Sequence, residues 1–165
     1  MRALIALVLL LSIEVSFSNT LDELKALEHA KTAPTAIKQE VSTTSSFARD
    51  HILVFFLSST CPYCQKFAPI LKEWSSTAHM HILAYTTNGG SLPSFPHPMH
   101  PDIDSFKAYF DTQKPVVPAL FVLNIHTLQA YPVSQGGLSR EALDARMKIL
   151  IPNISAYEHH TGEGV

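Results

Sequence analysis

Cys61 and Cys64 are the whole thiol content of this 165-residue chain, and they stand two residues apart in "FFLSSTCPYCQKFAPILKEW". Three chemistries are open to such a pair. As a disulfide it would close a loop too short to remove much entropy from the unfolded chain, which makes it a poor staple. As metal ligands the two thiols are half of a tetrahedral site, whose other donors would have to be histidines; His97 and His100, in "NGGSLPSFPHPMHPD", are the best placed. As a redox pair they need a nucleophilic thiolate at the surface, a second thiol within reach of the mixed disulfide, and stabilisation of negative sulfur. Cys61 and Cys64 are thus the candidate catalytic pair, and a metal-binding carrier is the competing reading.

The flanking residues decide how such a pair would be held. "HILVFFLS", residues 51 to 58, is a nearly unbroken apolar run, as expected of a central strand buried on both faces, and it delivers the chain to Cys61. Pro62 suits the first turn of a helix, and Phe67, Ile70, Leu71 and Trp74 follow at the spacing of a core-facing stripe. Cys61 then falls at the helix N-terminus, where unpaired N–H groups and the positive dipole end favour a thiolate. Cys64 shares the face of Phe67, Ala68 and Leu71, which predicts a shielded, resolving thiol.

Downstream, "MHILAYTT" reads as a second strand, and a short helix fits Ile103, Phe106, Tyr109 and Phe110. "ALFVLN" and "LQAYPV" flank "IHT" as a hairpin, with Pro132 marking an edge strand. Ser139 can cap a last helix with Leu143, Met147 and Leu150 inward; Pro152 is expected to stop it, leaving residues 153–165 as a tail. Pro118 opens the strand "ALFVLN". An X-Pro bond at such a place can be cis and hold the neighbouring backbone exposed for a substrate strand, although trans is the commoner form.

A chain with 46% apolar and 16% charged residues is globular in composition, and a net charge of -2 without charge blocks argues against nucleic acid and against a polybasic membrane patch. Residues 1–18 have the layout of a secretory signal peptide: Arg2, the apolar "ALIALVLLLSI", and small residues ending at Ser18. The apolar run is too short for a spanning helix and is broken by Glu14, so no membrane anchor is expected after cleavage. Export would place the cysteines where disulfides persist. Residues 19–49 are expected to form a helix, with a Thr20–Glu23 capping box and Leu21, Leu24 and Leu27, followed by a polar linker or irregular arm up to Arg49. The domain proper is residues 50–152, a mixed sheet between helices.

An apolar strand, CxxC, Pro69 five residues after Cys64, and Pro118 opening a later strand together resemble the thioredoxin superfamily over roughly residues 50 to 150. The resemblance implies a thioredoxin-like α/β fold, here with an N-terminal extension, no cofactor, and a bend of the active-site helix at Pro69. It also implies a cis Val117–Pro118 bond facing CxxC, with Val117 and Pro118 binding substrate through the backbone. More narrowly, "STCPYCQKFAPIL", "GGSLPSFP" and "VPALFVLN" are similar to the TrbB-type thiol-disulfide isomerases of F-type conjugative transfer systems. That similarity implies a periplasmic enzyme that assists disulfide formation or rearrangement in conjugative pilus components. Its partners would be cysteine-containing exported proteins and a redox partner that resets the CxxC pair. Thioredoxin carries a buried carboxylate six residues before the first cysteine, where this chain has Phe55. That departure tells against a thioredoxin-like reductase; a reductase for cytochrome maturation is the other redox alternative.

Overall fold

A computed structural model describes residues 44–110 and 115–162. The signal-peptide reading and the Thr20 helix lie outside the described residues. The element order is a helix over residues 44–50 (α1), β1 (His51–Leu57), α2 (Pro62–Ala78), β2 (Ile82–Thr86), α3 (Ile103–Tyr109), β3 (Ala119–Asn124), β4 (Ala130–Gln135) and α4 (Arg140–Gly162).

β1 is the strand on which the rest is built. It pairs parallel with β2 and antiparallel with β3, β3 pairs antiparallel with β4, and the sheet order is β2-β1-β3-β4. Successive β1 side chains point to opposite faces, so its apolar run feeds two cores. Leu53, Phe55 and Leu57 join Phe67, Leu71 and Trp74 of α2 and Leu143, Met147, Ile151 and Ile154 of α4. Val54 and Phe56 face the other way, into an aromatic core closed by α3. Phe56 is fully buried, with the rings of Phe110, Tyr109 and Tyr85 centred 4.9, 5.1 and 5.3 Å away. Each such pair adds about 0.5–1.5 kcal/mol beyond simple burial. The arrangement is an α/β fold, a mixed sheet flanked by helices, as expected from the sequence.

Four features differ in detail from the sequence expectations. The end of the presumed irregular arm is helical over residues 44–50, because Phe47 is buried and stacks on the His51 ring at 3.7 Å. Ile103 does not face the core but is 73% exposed; Phe106, Tyr109 and Phe110 alone bring α3 onto Phe56. β4 starts at Ala130, two residues later than the apolar pattern suggests. Its turn is built on the side chain of Asn124, whose Oδ1 accepts the N–H groups of His126 and Thr127, and Leu128 is held at φ 59°. Finally, α4 continues through Pro152 to Gly162. Burial of Ile151 and Ile154 on either side of the proline, and polar contacts at Glu158, outweigh the lost backbone donor.

Those contacts close the sheet at the end remote from the cysteines. Glu158 Oε1 accepts from Asn124 Nδ2 at 2.9 Å and Tyr131 OH at 2.9 Å, and lies 3.1 Å from His51 Nε2. His51 Nδ1 donates to the Phe47 carbonyl. Burial acts to raise the Glu158 carboxyl, but hydrogen bonds from Asn124, His51 and Tyr131 and the charge of His51 hold it below the usual carboxylate range. Tyr131 is pushed up to about 12, first by burial and then by its bond to Glu158 and that carboxylate's charge.

The sheet edges are also managed. Pro132 lies in β4 at an edge, as expected; a register irregularity follows Leu120, and Arg146 Nε of α4 donates to the Val133 carbonyl. On the other side, Met99 forms a parallel bridge with Tyr85 and so covers part of β2. The long loop after β2 is therefore anchored, and it returns Leu92 and Phe95 to the core beside Phe55. No helix among the described residues is long and apolar enough to cross a membrane.

Candidate active site

The site is the junction between β1 and α2. Buried β1 ends at Leu57, Ser58–Thr60 cross from the sheet to the helix, and Cys61 is the N-cap of α2 with Pro62 at its first position. The N-cap side chain is a sulfur: Cys61 Sγ accepts the Cys64 N–H at 3.4 Å, which satisfies one of the orphan donors of the first helical turn. The same arrangement places a helix N-terminus against any negative charge on Cys61. Both thiols are free, Cys61 partly exposed and Cys64 fully buried.

Cys64 has the opposite environment. Its Sγ accepts only a long contact from the Ser58 N–H, at 3.5 Å, and sits in the core that includes Phe55, Phe67 and Leu71. Burial pushes this thiol up from its ordinary 9.0 to about 12, the Ser58 N–H opposes the rise, and the neighbouring Cys61 sulfur adds to it. Phe55, which stands where thioredoxin has its carboxylate, is itself fully buried and packs edge-on against Phe67 at 5.9 Å.

The Val117–Pro118 peptide is cis, as the resemblance implied, and it faces the cysteines: Cys61 Sγ lies 3.6 Å from the Val117 carbonyl, to which its thiol can donate. Pro118 is buried, and Val116, just before this pair, is 58% exposed. Tyr63, between the cysteines, is 68% exposed. The structure thus brings Cys61, Cys64, Val117 and Pro118 into one place. It does not bring His97 and His100 to the cysteines as a ligand set; among the described residues no group of three or more His, Cys, Asp or Glu could hold a metal ion.

Two further segments contribute that sequence reasoning passed over. Gly136, at φ 109°, donates its N–H to the Pro118 carbonyl at 2.7 Å, which ties the cis-proline turn to the loop leading into α4. A Cβ on the next residue, Gly137, would come within 3.4 Å of both the Tyr63 carbonyl and Phe67 Cβ. The Gly-Gly pair in "SQGGLS" was the available signal, since adjacent glycines often mark a close backbone approach. The other is the loop carrying Asn88, whose side chain bonds to Ser59 and Thr60.

The chain is similar to several known proteins. The family model "TraF: F plasmid transfer operon protein" matches residues 26–148. Protein TrbB of Escherichia coli (strain K12) is 28% identical over 102 residues, covering 62% of this chain and 56% of that protein, so the match spans little more than half of the relative's length. A solved structure described as "Structure of MTB dsbF in its mixed oxidized and reduced forms" is 19% identical, with a TM-score of 0.40, and covers 64% of this chain and 84% of its own. With a family model matching most of its length, including the strand, both cysteines and the cis-proline turn, this chain belongs to the TraF family of F plasmid transfer operon proteins.

Proposed function

We propose that this protein is a thiol-disulfide oxidoreductase that acts, as isomerase or oxidase, on exported proteins of a conjugative transfer system. The observation that carries the reading is the asymmetry of the pair: Cys61 caps a helix at the surface beside the Val117 carbonyl, whereas Cys64 is buried with its thiol held protonated. Cys61 is the nucleophile and Cys64 the resolving thiol, with the backbone at Val117 and Pro118 receiving the substrate. Family membership supports the link to conjugation, and the signal-peptide layout of residues 1–18 supports a periplasmic location.

The exchange balances as follows. The Cys61 thiolate attacks one sulfur of a substrate disulfide, the substrate S–S bond breaks, and the departing sulfur leaves as a thiolate that takes up a proton. In isomerisation another substrate thiolate attacks the mixed disulfide and returns Cys61 as thiolate, with no net electron transfer. When Cys64 attacks instead, after losing its proton, a Cys61–Cys64 disulfide forms and two electrons have passed to the substrate. Oxidase action is this sequence run backwards, and a redox partner then restores the protein's disulfide.

Trapping tests the assignment. Cys64→Ala cannot resolve the mixed disulfide, so substrates should stay attached to Cys61 in the native host, and Cys61→Ser should abolish them. Capture of exported, multi-cysteine transfer proteins is the expected result. No captured species in a folded Cys64→Ala variant, together with stoichiometric, cysteine-dependent metal in the wild type, would replace this reading by that of a metal carrier.

A further inference from the structure

Between the last residue of β1 and Cys61 lie three residues, Ser58, Ser59 and Thr60, and their placement decides where the Cys61 sulfur sits. One side chain from another part of the chain holds the centre of this segment. Asn88 Oδ1 accepts the Ser59 N–H at 3.2 Å, and Asn88 Nδ2 donates to Ser59 Oγ at 3.0 Å and reaches Thr60 Oγ1 at 3.5 Å. Asn88 thus engages both the backbone and the hydroxyl of Ser59. The loop around it is braced in turn: Oδ1 also accepts the Gly90 N–H at 3.3 Å, and buried Thr86 donates to the Gly90 carbonyl at 2.7 Å.

A second observation is steric. A Cβ on Gly90 would lie 2.6 Å from Ser59 Cβ, so the loop approaches the Cys61-bearing segment as closely as glycine alone permits. The Ser59 carbonyl accepts from Gln65 Nε2 of α2 at 2.9 Å. Ser59 is therefore fixed from both sides, by the β2 loop and by the helix it introduces.

We propose that Asn88 is a positioning residue for the thiol chemistry: through Ser59 and Thr60 it keeps the Cys61 sulfur in register with the Cys64 N–H and the Val117 carbonyl. The inference rests on the thiol-exchange reading of Cys61. Asn88 touches neither cysteine, so its removal should alter how fast the sulfur reacts rather than how substrate binds.

The test uses the full reduced chain and measures the alkylation rate of Cys61 by iodoacetamide across pH, alongside kcat and KM for exchange with a disulfide-bonded peptide. Asn88→Ala is expected to slow Cys61 alkylation about three- to tenfold, the reach of one or two hydrogen bonds, with kcat falling in proportion and KM unchanged. Asn88→Asp keeps the acceptor for both N–H groups and lets the two hydroxyls turn to donate, so it should stay within about twofold of wild type. Asn124→Ala, at the opposite end of the sheet, should lower the unfolding midpoint without moving the Cys61 rate. An Asn88→Ala rate equal to or above wild type overturns the proposal. So does an equal slowing by Asn124→Ala, or a loss in Asn88→Asp as deep as in alanine. Wild-type protein that exchanges nothing with the peptide refutes the functional reading, while the alkylation rates still decide the positioning role.

Discussion

Above pH 9 the reduced protein should lose stability because of one buried thiol. Cys64 is fully buried, and its folded-state pKa is raised from the ordinary 9.0 to about 12 by burial. A raised value means that the folded state keeps a proton the unfolded chain has released. The contribution is therefore complete below pH 9.0 and is lost as pH rises toward about 12. Within that window the slope approaches about 1.4 kcal/mol per pH unit, so between pH 8 and pH 10.5 the loss should reach about 2 kcal/mol. Tyr109 and Tyr131 are also raised, chiefly by burial, and act in the same direction; comparison with Cys64→Ala cancels them. Urea unfolding of both proteins under a strong reductant, at half-unit steps across this range, provides the measurement. The stability advantage of wild type over Cys64→Ala should shrink by about 2 kcal/mol by pH 10.5. A difference that does not change with pH would show that the Cys64 thiol is not held protonated, and the division of labour between the two cysteines would lose its physical basis.

At the other end of the sheet, Glu158→Gln removes a carboxylate whose Oε1 accepts from Asn124 and Tyr131 and lies beside His51, and it should cost about 1–3 kcal/mol in urea unfolding at pH 7. Since the Glu158 carboxyl is held low in the folded state, its contribution is present above its ordinary value of 4.5 and is lost as pH falls from there through the folded value; the variant should show a flatter acid limb below pH 4.5. Gly136→Ala forces a side chain onto a residue at φ 109° whose N–H holds the Pro118 carbonyl. It should cost about 1–3 kcal/mol in unfolding and slow peptide exchange, and unchanged values in both assays would detach this loop from the site.

What could be read from the chain was local. One apolar run, a proline in the first helical turn and a stripe at Phe67, Leu71 and Trp74 lie within 24 residues of each other, so strand, helix and the placing of both cysteines follow from neighbours in sequence. The contacts that escaped notice join distant residues. His51 and Glu158 are 107 positions apart, and nothing in "AYEHHTGEGV" marks its glutamate as the acceptor that anchors a helix end. Pro152 is a sound stop signal by propensity, but the burial of Ile151 and Ile154 overrides it, as tertiary packing commonly does. Asn124 is the last residue of β3, as the apolar pattern suggested; the turn that its side chain builds, which moves the start of β4 by two residues, was not legible.

The network of His51, Asn124, Tyr131 and Glu158 lies at the start of β1, and the uncharged Ser58–Thr60 segment lies at its end, which has a consequence for mechanism. From Ile52 to Thr60 the chain carries no titratable residue, so no carboxylate on this strand or its crossing to α2 can draw the proton from Cys64. What acts on that thiol is burial, the Ser58 N–H and Cys61. In the reduced protein the rise from 9.0 to about 12 lowers the Cys64 thiolate fraction near neutral pH by about a thousandfold. Under the exchange proposed above, a Cys64 that stays protonated leaves a mixed disulfide on Cys61 open to attack by a second substrate thiol, and Phe55, fully buried against Phe67, supplies no charge to hasten its ionisation.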